Sequence, residues 1–411
     1  MAKLLRVLAI TSAYPSRPGD PRGIFIHRLT TALAKEGLDV TVLAPGAPEA
    51  PLSETLDGVT VQRAQYWTSH RQALAVGVGG IVPNIRGNPL LALQLPALLM
   101  SLRHKAIRLG AGFDLIHAHW TVPAGQAGQA AARTHGLPFV VTSHGGDLNL
   151  ARRVPLLSTI IRRVCNSADA CIGVSQDMVN EFARYGVEPS RVHHIPYGVP
   201  ENLAADESVL PPLVRHFAAT PTFRVIYVGS LIPRKSVHTL LEAHALLQRR
   251  GRDISTLVVG DGLCARELRD QVKSQGLRGV TFAGSQPPEI AAACMQGAYV
   301  LVLPSRSEGR PLVLLEAMSL GVPVIATDIP GSRELARPGE TGMLFPVGDS
   351  AALAKCLEAL MDDRLLGHRL GVNGRAFVHN ERLTDQAIAQ RHVELYQRLL
   401  TVTPARQPTI R

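Results

Sequence analysis

The sequence predicts an α/β protein of two Rossmann-like domains facing across a cleft. Three observations carry this expectation. Short runs rich in Val, Ile and Leu alternate with helix-length amphipathic segments from end to end, the signature of parallel sheets covered on both faces. The alternation breaks at a Pro-rich, acidic stretch, PYGVPENLAADESVLPP, and then restarts. A chain of 411 residues, 46% hydrophobic and 18% charged, is long enough for two or three domains and too apolar to remain unfolded.

Taken in order, Leu4–Ile10, Val40–Ala44, Asp114–Ala118, Phe139–Thr142, Ala170–Val174 and Val192–Ile195 are expected as buried strands, with amphipathic helices such as Ile26–Glu36 between them. They make a first domain over residues 1–200, followed by a linker over 201–220. The second series, over 221–380, has strands at Arg224–Gly229, Thr256–Val259, Val280–Phe282, Tyr299–Leu303 and Pro323–Ala326. A last amphipathic helix, Leu383–Leu400 within 381–411, has no strand after it and is expected to pack back on the first domain.

Composition excludes several classes. The five cysteines, Cys165, Cys171, Cys264, Cys294 and Cys356, are odd in number and include no C-x-x-C pair, which argues against a disulfide framework and a zinc site and fits a reducing cytoplasm. Leu4–Ile10 is too short for a secretory hydrophobic region and runs into a Pro/Gly turn, so Met1 is the expected start. The longest apolar run, Pro89–Leu102, is broken by Gln94 and Pro96 and falls short of the roughly 18–20 residues needed to span a bilayer. A net charge of +10 would suit nucleic acid, but aromatics form only 4% of the chain and are not interleaved with the basic residues, so nucleic acid is not an expected partner. The charge is uneven: no acid occurs between Asp57 and Asp114, while Arg63, Arg71, Arg86, Arg103, Lys105 and Arg108 fall in that interval beside the apolar run.

Two motifs compete for the ligand site. Val259-Gly260-Asp261-Gly262-Leu263-Cys264-Ala265 matches the glycine pattern of a dinucleotide fingerprint, but the next strand, Val280-Thr281-Phe282, ends without the acid that would hold a ribose. A tight turn after a strand is the simpler reading. No Walker-type P-loop occurs. The second motif, PSRSEGRPLVLLEAMSLGVPVIATDIPGSRE over 304–334, has a strand ending at Leu303, a polar loop holding Glu308, and Pro311 where a helix would begin. Glu316 then faces the same cleft from the second helical turn. Two carboxylates beside free helix N-terminal amides suit a ligand with both hydroxyls and phosphates, as in a nucleotide sugar.

These residues also carry a resemblance. S-E-G-x-P followed by E-A-M, G-V-P-V-I-A-T, G-x-x-E and G-E-T-G-M-L-F-P is similar to the donor half of the retaining glycosyltransferases of family 4, which have the GT-B fold. Tyr14-Pro15, Gly23-Ile24-Phe25, His117-Ala118-His119-Trp120, Ser143-His144-Gly145-Gly146-Asp147 and Pro196-Tyr197-Gly198-Val199 resemble the same family in order, most closely its exopolysaccharide and cell-wall members. The resemblance implies that Glu308 contacts the donor sugar and Glu316 the ribose, that Arg310 and Leu312 join the donor site, and that Lys235 holds the diphosphate. At the diphosphate grip Ser230 stands where the family has Arg and Ser236 where it has Gly, so Arg234 is expected to compensate. Gly23 is expected to approach the phosphates or leaving group, and His144 to lie at the reacting centre, with Tyr197 in place of a common Asn.

The expected activity is retaining transfer of a sugar from a nucleotide-diphosphate sugar to a glycan or polyprenyl-linked acceptor in polysaccharide biosynthesis. No cofactor is expected, and no metal, because the sequence has no D-x-D pair. The expected location is the cytoplasm, with contact to anionic lipid at the inner face of the membrane through the acid-free stretch. The alternatives weighed are a GT-B nucleotide-sugar epimerase, a pyridoxal-phosphate phosphorylase and a non-catalytic sugar- or lipid-binding module.

Overall fold

In a computed structural model, residues 4–17, 19, 20, 22–48, 50–76, 80–152, 154–203 and 211–402 are described. The chain divides into two compact units: Met1–Tyr197 with Asp385–Arg411, and Gly198–Thr384. Each expected strand is present, its ends shifted by no more than two residues.

Unit 1 is built on an eight-stranded sheet with the order β3-β4-β2-β1-β5-β6-β7-β8. Its strands are β1 (Arg6–Thr11), β2 (Asp39–Pro45), β3 (Ser53–Leu56), β4 (Val59–Ala64), β5 (Leu115–His119), β6 (Phe139–Ser143), β7 (Ala170–Gly173) and β8 (Val192–His194). β1, β5, β6 and β7 are buried almost throughout because helices cover both faces, and only the β3–β4 pair is antiparallel. That hairpin was absent from the sequence reading. Its turn is Asp57-Gly58, both residues at positive φ, the Asp-Gly pair that a two-residue hairpin loop selects.

The helix Leu95–Gly110 buries Leu98, Leu102, Ala106 and Gly110, one face at helical spacing. Its opposite face and the turn before it are open: Leu90, Leu93 and Met100 are each at least 70% exposed. Of the basic residues in the acid-free stretch, Arg63 is buried and bound to Glu54 and to the Pro15 carbonyl, and Lys105 donates to the Arg63 carbonyl. Arg71, Arg86, Arg103 and Arg108 are exposed. The helix Asp385–Val402 lies in unit 1, held by Arg28 to Asp385 at 2.9 and 3.1 Å and by buried Ile388, Leu395 and Tyr396. Among the described residues no helix is long and apolar enough to cross a membrane.

Unit 2 holds a six-stranded parallel sheet in the order β11-β10-β9-β12-β13-β14. Its strands are β9 (Phe223–Val228), β10 (Ile254–Val259), β11 (Val280–Gly284), β12 (Val300–Leu303), β13 (Val324–Thr327) and β14 (Met343–Phe345). Part of the expected 201–220 linker is instead structure of this unit: Pro212–Ala219 is a helix that buries Val214 and Phe217. Residues 204–210 of that expected linker and 403–411 of the expected last segment lie outside the described residues.

The G-x-G element proves to be a packing device. A Cβ on Gly260 would lie 1.9 Å from the Gly229 carbonyl oxygen, and one on Gly262 would lie 2.5 Å from that of Leu231. The loops after β9 and β10 therefore touch backbone to backbone, joined by Leu231 N–H to Asp261 O at 2.9 Å and Cys264 N–H to Leu231 O at 2.8 Å. Gly260→Ala, at φ +134 with no room for a methyl, is expected to destabilise the protein by about 2 kcal/mol or more. Gly87→Ala, facing open space, should stay within about 0.5 kcal/mol of wild type. Denaturant unfolding of the two variants checks the contrast, and equal stabilities would refute it.

Candidate functional site

In unit 2 the chain order reverses between neighbours β9 and β12, with β10 and β11 on one side and β13 and β14 on the other. Loops leaving the carboxyl ends of such neighbours diverge, and the crevice they open is where α/β sheets take ligands. The loop after β9 carries Arg234 and Lys235; the loop after β12 carries Glu308 and Arg310. Lys235 Nζ lies 2.7 Å from Glu308 Oε1, and Arg234 Nη1 lies 3.2 Å from Oε2. Burial alone would raise the Glu308 carboxyl, but Lys235 and Arg234 outweigh it and hold it below the ordinary glutamate value.

The rest of the crevice is rigged around this cluster. Arg234 Nη1 donates to Ser307 O at 2.6 Å, and Arg306 N–H to Arg234 O at 2.9 Å, so the two loops are stitched together. A Cβ on Gly331 would lie 2.7 Å from the carbonyl oxygens of Glu308 and Gly309, which seats the Glu308 loop directly on the helix Pro330–Arg333. Arg310 is buried and bound to Glu334 Oε2 at 2.5 Å, fastening the same loop from beneath. The G-x-x-E motif that supplies Glu334 carried no assigned role in the sequence. Pro311 is the cap of the helix Leu312–Ser319, which Leu312 opens and on whose second turn Glu316 stands, both half-buried.

The two departures from the family pattern sit in different settings, and nothing in the structure explains the serine side chain at position 230. Ser236 sits in the left-handed region at φ 54, ψ 37, the conformation that explains a glycine preference there; its hydroxyl lies 3.4 Å from Thr239 Oγ1. Ser230 offers its carbonyl to Tyr227 Oη at 3.0 Å.

Unit 1 has its own reversal, between β1 and β5, and there the side chains are neutral rings. Gly23, at φ 62, caps the helix Ile24–Lys35, and its identity follows from the Ala13 carbonyl oxygen 2.2 Å from where a Cβ would stand. Two residues on, Phe25 packs against Trp120, His144 and Tyr197 at centroid distances of 5.8, 4.9 and 5.0 Å. His144 is half-buried with both ring nitrogens engaged, Nδ1 2.7 Å from Tyr197 Oη and Nε2 3.2 Å from His119 Nδ1. His119 packs at a tilt against His117, with centroids 4.3 Å apart, and His117 lies 2.6 Å from Tyr396 Oη and 2.7 Å from Thr142 Oγ1. The sequence singles out His144 and gives His117 and His119 no chemical role beyond lining the acceptor side; the HAHW and SHGGD segments are the signal that links them.

Burial drives all these imidazoles toward the neutral form. His119 is pushed down to about 3 and His392 to about 4, and burial together with neighbouring histidines holds His117 and His144 well below the usual value. Among the described residues no group of three or more His, Cys, Asp and Glu side chains is placed to hold a metal ion.

Comparison with known proteins matches these units to two families. Residues 23–203 match the model described as Glycosyltransferase Family 4, and residues 215–377 that described as Glycosyl transferases group 1. The chain is 29% identical over 348 residues to the putative teichuronic acid biosynthesis glycosyltransferase TuaC of Bacillus subtilis, covering 80% of this chain and 83% of that one. It is 28% identical over 406 residues to the D-inositol 3-phosphate glycosyltransferase of Nocardia farcinica, covering 91% and 85%. Its fold is similar to sucrose-phosphate synthase from Thermosynechococcus elongatus, with TM-score 0.78, 24% identity and coverage of 97% and 99%. It is also similar in fold to Anabaena Alr3699/HepE in complex with UDP-glucose, with TM-score 0.74, 20% identity and coverage of 96% and 100%.

The histidine cluster has a consequence for stability. Each of His117, His119, His144 and His392 is neutral when folded and takes a proton near pH 6.5 when unfolded, so acid favours unfolding. Stability should be level above pH 7 and fall as pH drops through 6.5 toward 4, by up to about 1.4 kcal/mol per pH unit for each histidine. Asp20, held at about 2, adds to the loss only below its unfolded value near 4. Denaturant unfolding at pH 7.5, 6.5 and 5 measures this, and equal stabilities at the three values would contradict the burial of neutral rings.

Proposed function

The chain is a glycosyltransferase, family 4 in its N-terminal part and group 1 in its C-terminal part, and from that premise we propose that it performs metal-independent, retaining transfer from a nucleotide-diphosphate sugar to a glycan or polyprenyl-linked acceptor in polysaccharide or cell-wall biosynthesis. The observation that carries this reading is the Arg234–Lys235–Glu308 cluster at the switch point of unit 2. Two cations suit a diphosphate, and a neighbouring carboxylate accepts hydrogen bonds from sugar hydroxyls. Glu316, one helix turn beyond, takes the ribose, and Leu312 contributes the first amide of that helix. Arg310 serves the donor site by fixing the Glu308 loop through Glu334. In unit 1 Gly23 serves the donor by approaching the phosphates or leaving group, and His144 lies at the reacting centre on the acceptor side. The crystallised neighbour that holds UDP-glucose and the relative named for teichuronic acid biosynthesis support the donor class and the polymer context.

In this mechanism the departing diphosphate oxygen accepts the proton of the acceptor hydroxyl on the same face of the sugar. No side chain then needs to act as a base. The two engaged nitrogens and depressed basicity of His144 agree with that, leaving it a rigid wall beside Trp120 and Phe25.

Once thermal shifts on a panel of UDP-, GDP- and ADP-sugars have identified the donor, steady-state kinetics test the roles. Glu316→Ala is expected to raise the donor KM about tenfold or more with little change in kcat, because a ribose contact is alike in ground and transition states. Glu308→Ala should lower kcat by about 100-fold, since its contacts lie where charge develops. Both enzymes, and wild type, should turn over unchanged in excess EDTA. Wild-type constants for both variants, or loss of turnover on chelation restored by Mg2+, would refute the assignment.

The acceptor side is expected to work at the cytoplasmic leaflet. Leu90, Leu93 and Met100 are exposed, as are Arg86, Arg103 and Arg108 of the same stretch of sequence, which contains no acid. Such a surface lies in the bilayer interface and gains about 1 kcal/mol per basic residue from anionic headgroups. The protein should co-sediment with anionic liposomes at low salt and not with neutral ones, and reversal of Arg86, Arg103 and Arg108 to Glu should release it. Equal recovery with both liposome types would leave a soluble acceptor.

A further inference from the structure

Glu308 occupies the cations that its own ligand needs. Its carboxylate is only 8% exposed and sits 2.7 Å from Lys235 and 3.2 Å from Arg234, the same two groups assigned to the diphosphate. A diphosphate that enters this crevice brings at least two negative charges to the place where a third is already held. Either Glu308 stays and repels it, or Glu308 turns away and forfeits its partners in a largely buried position. Both outcomes oppose binding, because a buried carboxylate stripped of its cations is costly. An intact nucleotide sugar escapes this conflict, since its hydroxyls donate to the displaced carboxylate while its phosphates take the cations.

We propose that Glu308 is a specificity latch: in the empty site it neutralises Lys235 and Arg234, and it yields them only to a ligand that carries sugar hydroxyls beside the diphosphate. The inference rests on the donor-site reading above and adds a discrimination to it. The latch weakens binding of the bare nucleoside diphosphate relative to the donor. When the sugar leaves, Glu308 loses its hydroxyl partners, returns to the cations and displaces the product. The loop stitching by Arg234 to Ser307 and by Arg306 to Arg234 keeps the carboxylate and cations within reach of one another, so the exchange needs a side-chain rotation and no loop opening.

Isothermal titration of the full-length protein tests the latch, with UDP, GDP and ADP and the corresponding glucose or mannose conjugates as probes. Glu308→Gln keeps the shape and removes the charge. It is expected to bind the cognate nucleoside diphosphate at least tenfold more tightly than wild type and to bind the nucleotide sugar no better, so that the preference for the donor shrinks or inverts. Lys235→Ala should weaken both ligands. Because the uncharged variant leaves Lys235 unpaired, its melting temperature should fall without ligand and rise more on adding the diphosphate than that of wild type. Glu308→Ala repeats the measurement should the glutamine variant fold poorly. Unchanged or weaker diphosphate binding in the folded charge-removed variants, with Lys235→Ala still weakening both ligands, overturns the latch and leaves the donor site standing. If no nucleotide binds wild type or any variant, the donor-site reading fails and the latch falls with it.

Discussion

Both units depend on one constraint, the reversal of strand order inside a parallel sheet. Parallel strands bring every βα loop to the same edge, and where chain order reverses the two adjacent loops run to opposite faces and leave a gap. In unit 1 this occurs between β1 and β5, in unit 2 between β9 and β12. Every residue assigned to the candidate site stands on a loop or within the first two turns of a helix at such a gap or at a strand next to it. The buried strands hold the loop ends at fixed spacing, and in unit 1 the carboxyl ends of β5 and β6 also supply His117, His119 and Thr142 to the ring cluster.

The same constraint is furnished with opposite physics in the two units. Unit 2 builds its crevice from charge, with a largely buried carboxylate shared by two cations and a further Arg–Glu pair below. Unit 1 builds its crevice from neutral rings, where burial suppresses protonation and hydroxyls of Tyr197, Tyr396 and Thr142 meet the imidazole nitrogens. A charged crevice suits a polyanionic ligand whose charge must be met. A neutral aromatic one suits a hydroxyl-bearing ligand and excludes unpaired ions.

Close backbone approach supplies the precision. Gly23 against Ala13, Gly260 against Gly229, Gly262 against Leu231 and Gly331 against Glu308 are places where one added carbon would separate two loops. Ser236 shows the limit of that rule, since it holds a left-handed conformation with a side chain, surrounded by polar partners that its hydroxyl can reach. The last helix adds a second kind of support, with Tyr396 reaching His117 beneath the ring cluster.

The sequence by itself determined the α/β class, the strands from β1 to β13 other than the hairpin, the family resemblance and the loop positions of Glu308, Lys235 and His144. These were legible because buried parallel strands are unbroken apolar runs and because loop residues stand at short, fixed distances from strand ends. The β3–β4 hairpin was missed although Asp57-Gly58 announced it, since its strands alternate and lack the apolar density of the others. β14 was too short to register. Pro212–Ala219 reads as linker in sequence because its flanking prolines mask the helical spacing of Val214 and Phe217. Only the tertiary structure decided that Arg234 and Lys235 meet Glu308 across 74 and 73 residues of sequence, that Arg310 turns inward to Glu334, and that Tyr396 meets His117 across 279. The same holds for Arg63, basic in sequence and buried in the fold, and for half-buried Lys105, which donates to the Arg63 carbonyl. Such pairings are set by strand order and by which face each loop leaves, and a linear pattern of residue types does not encode either.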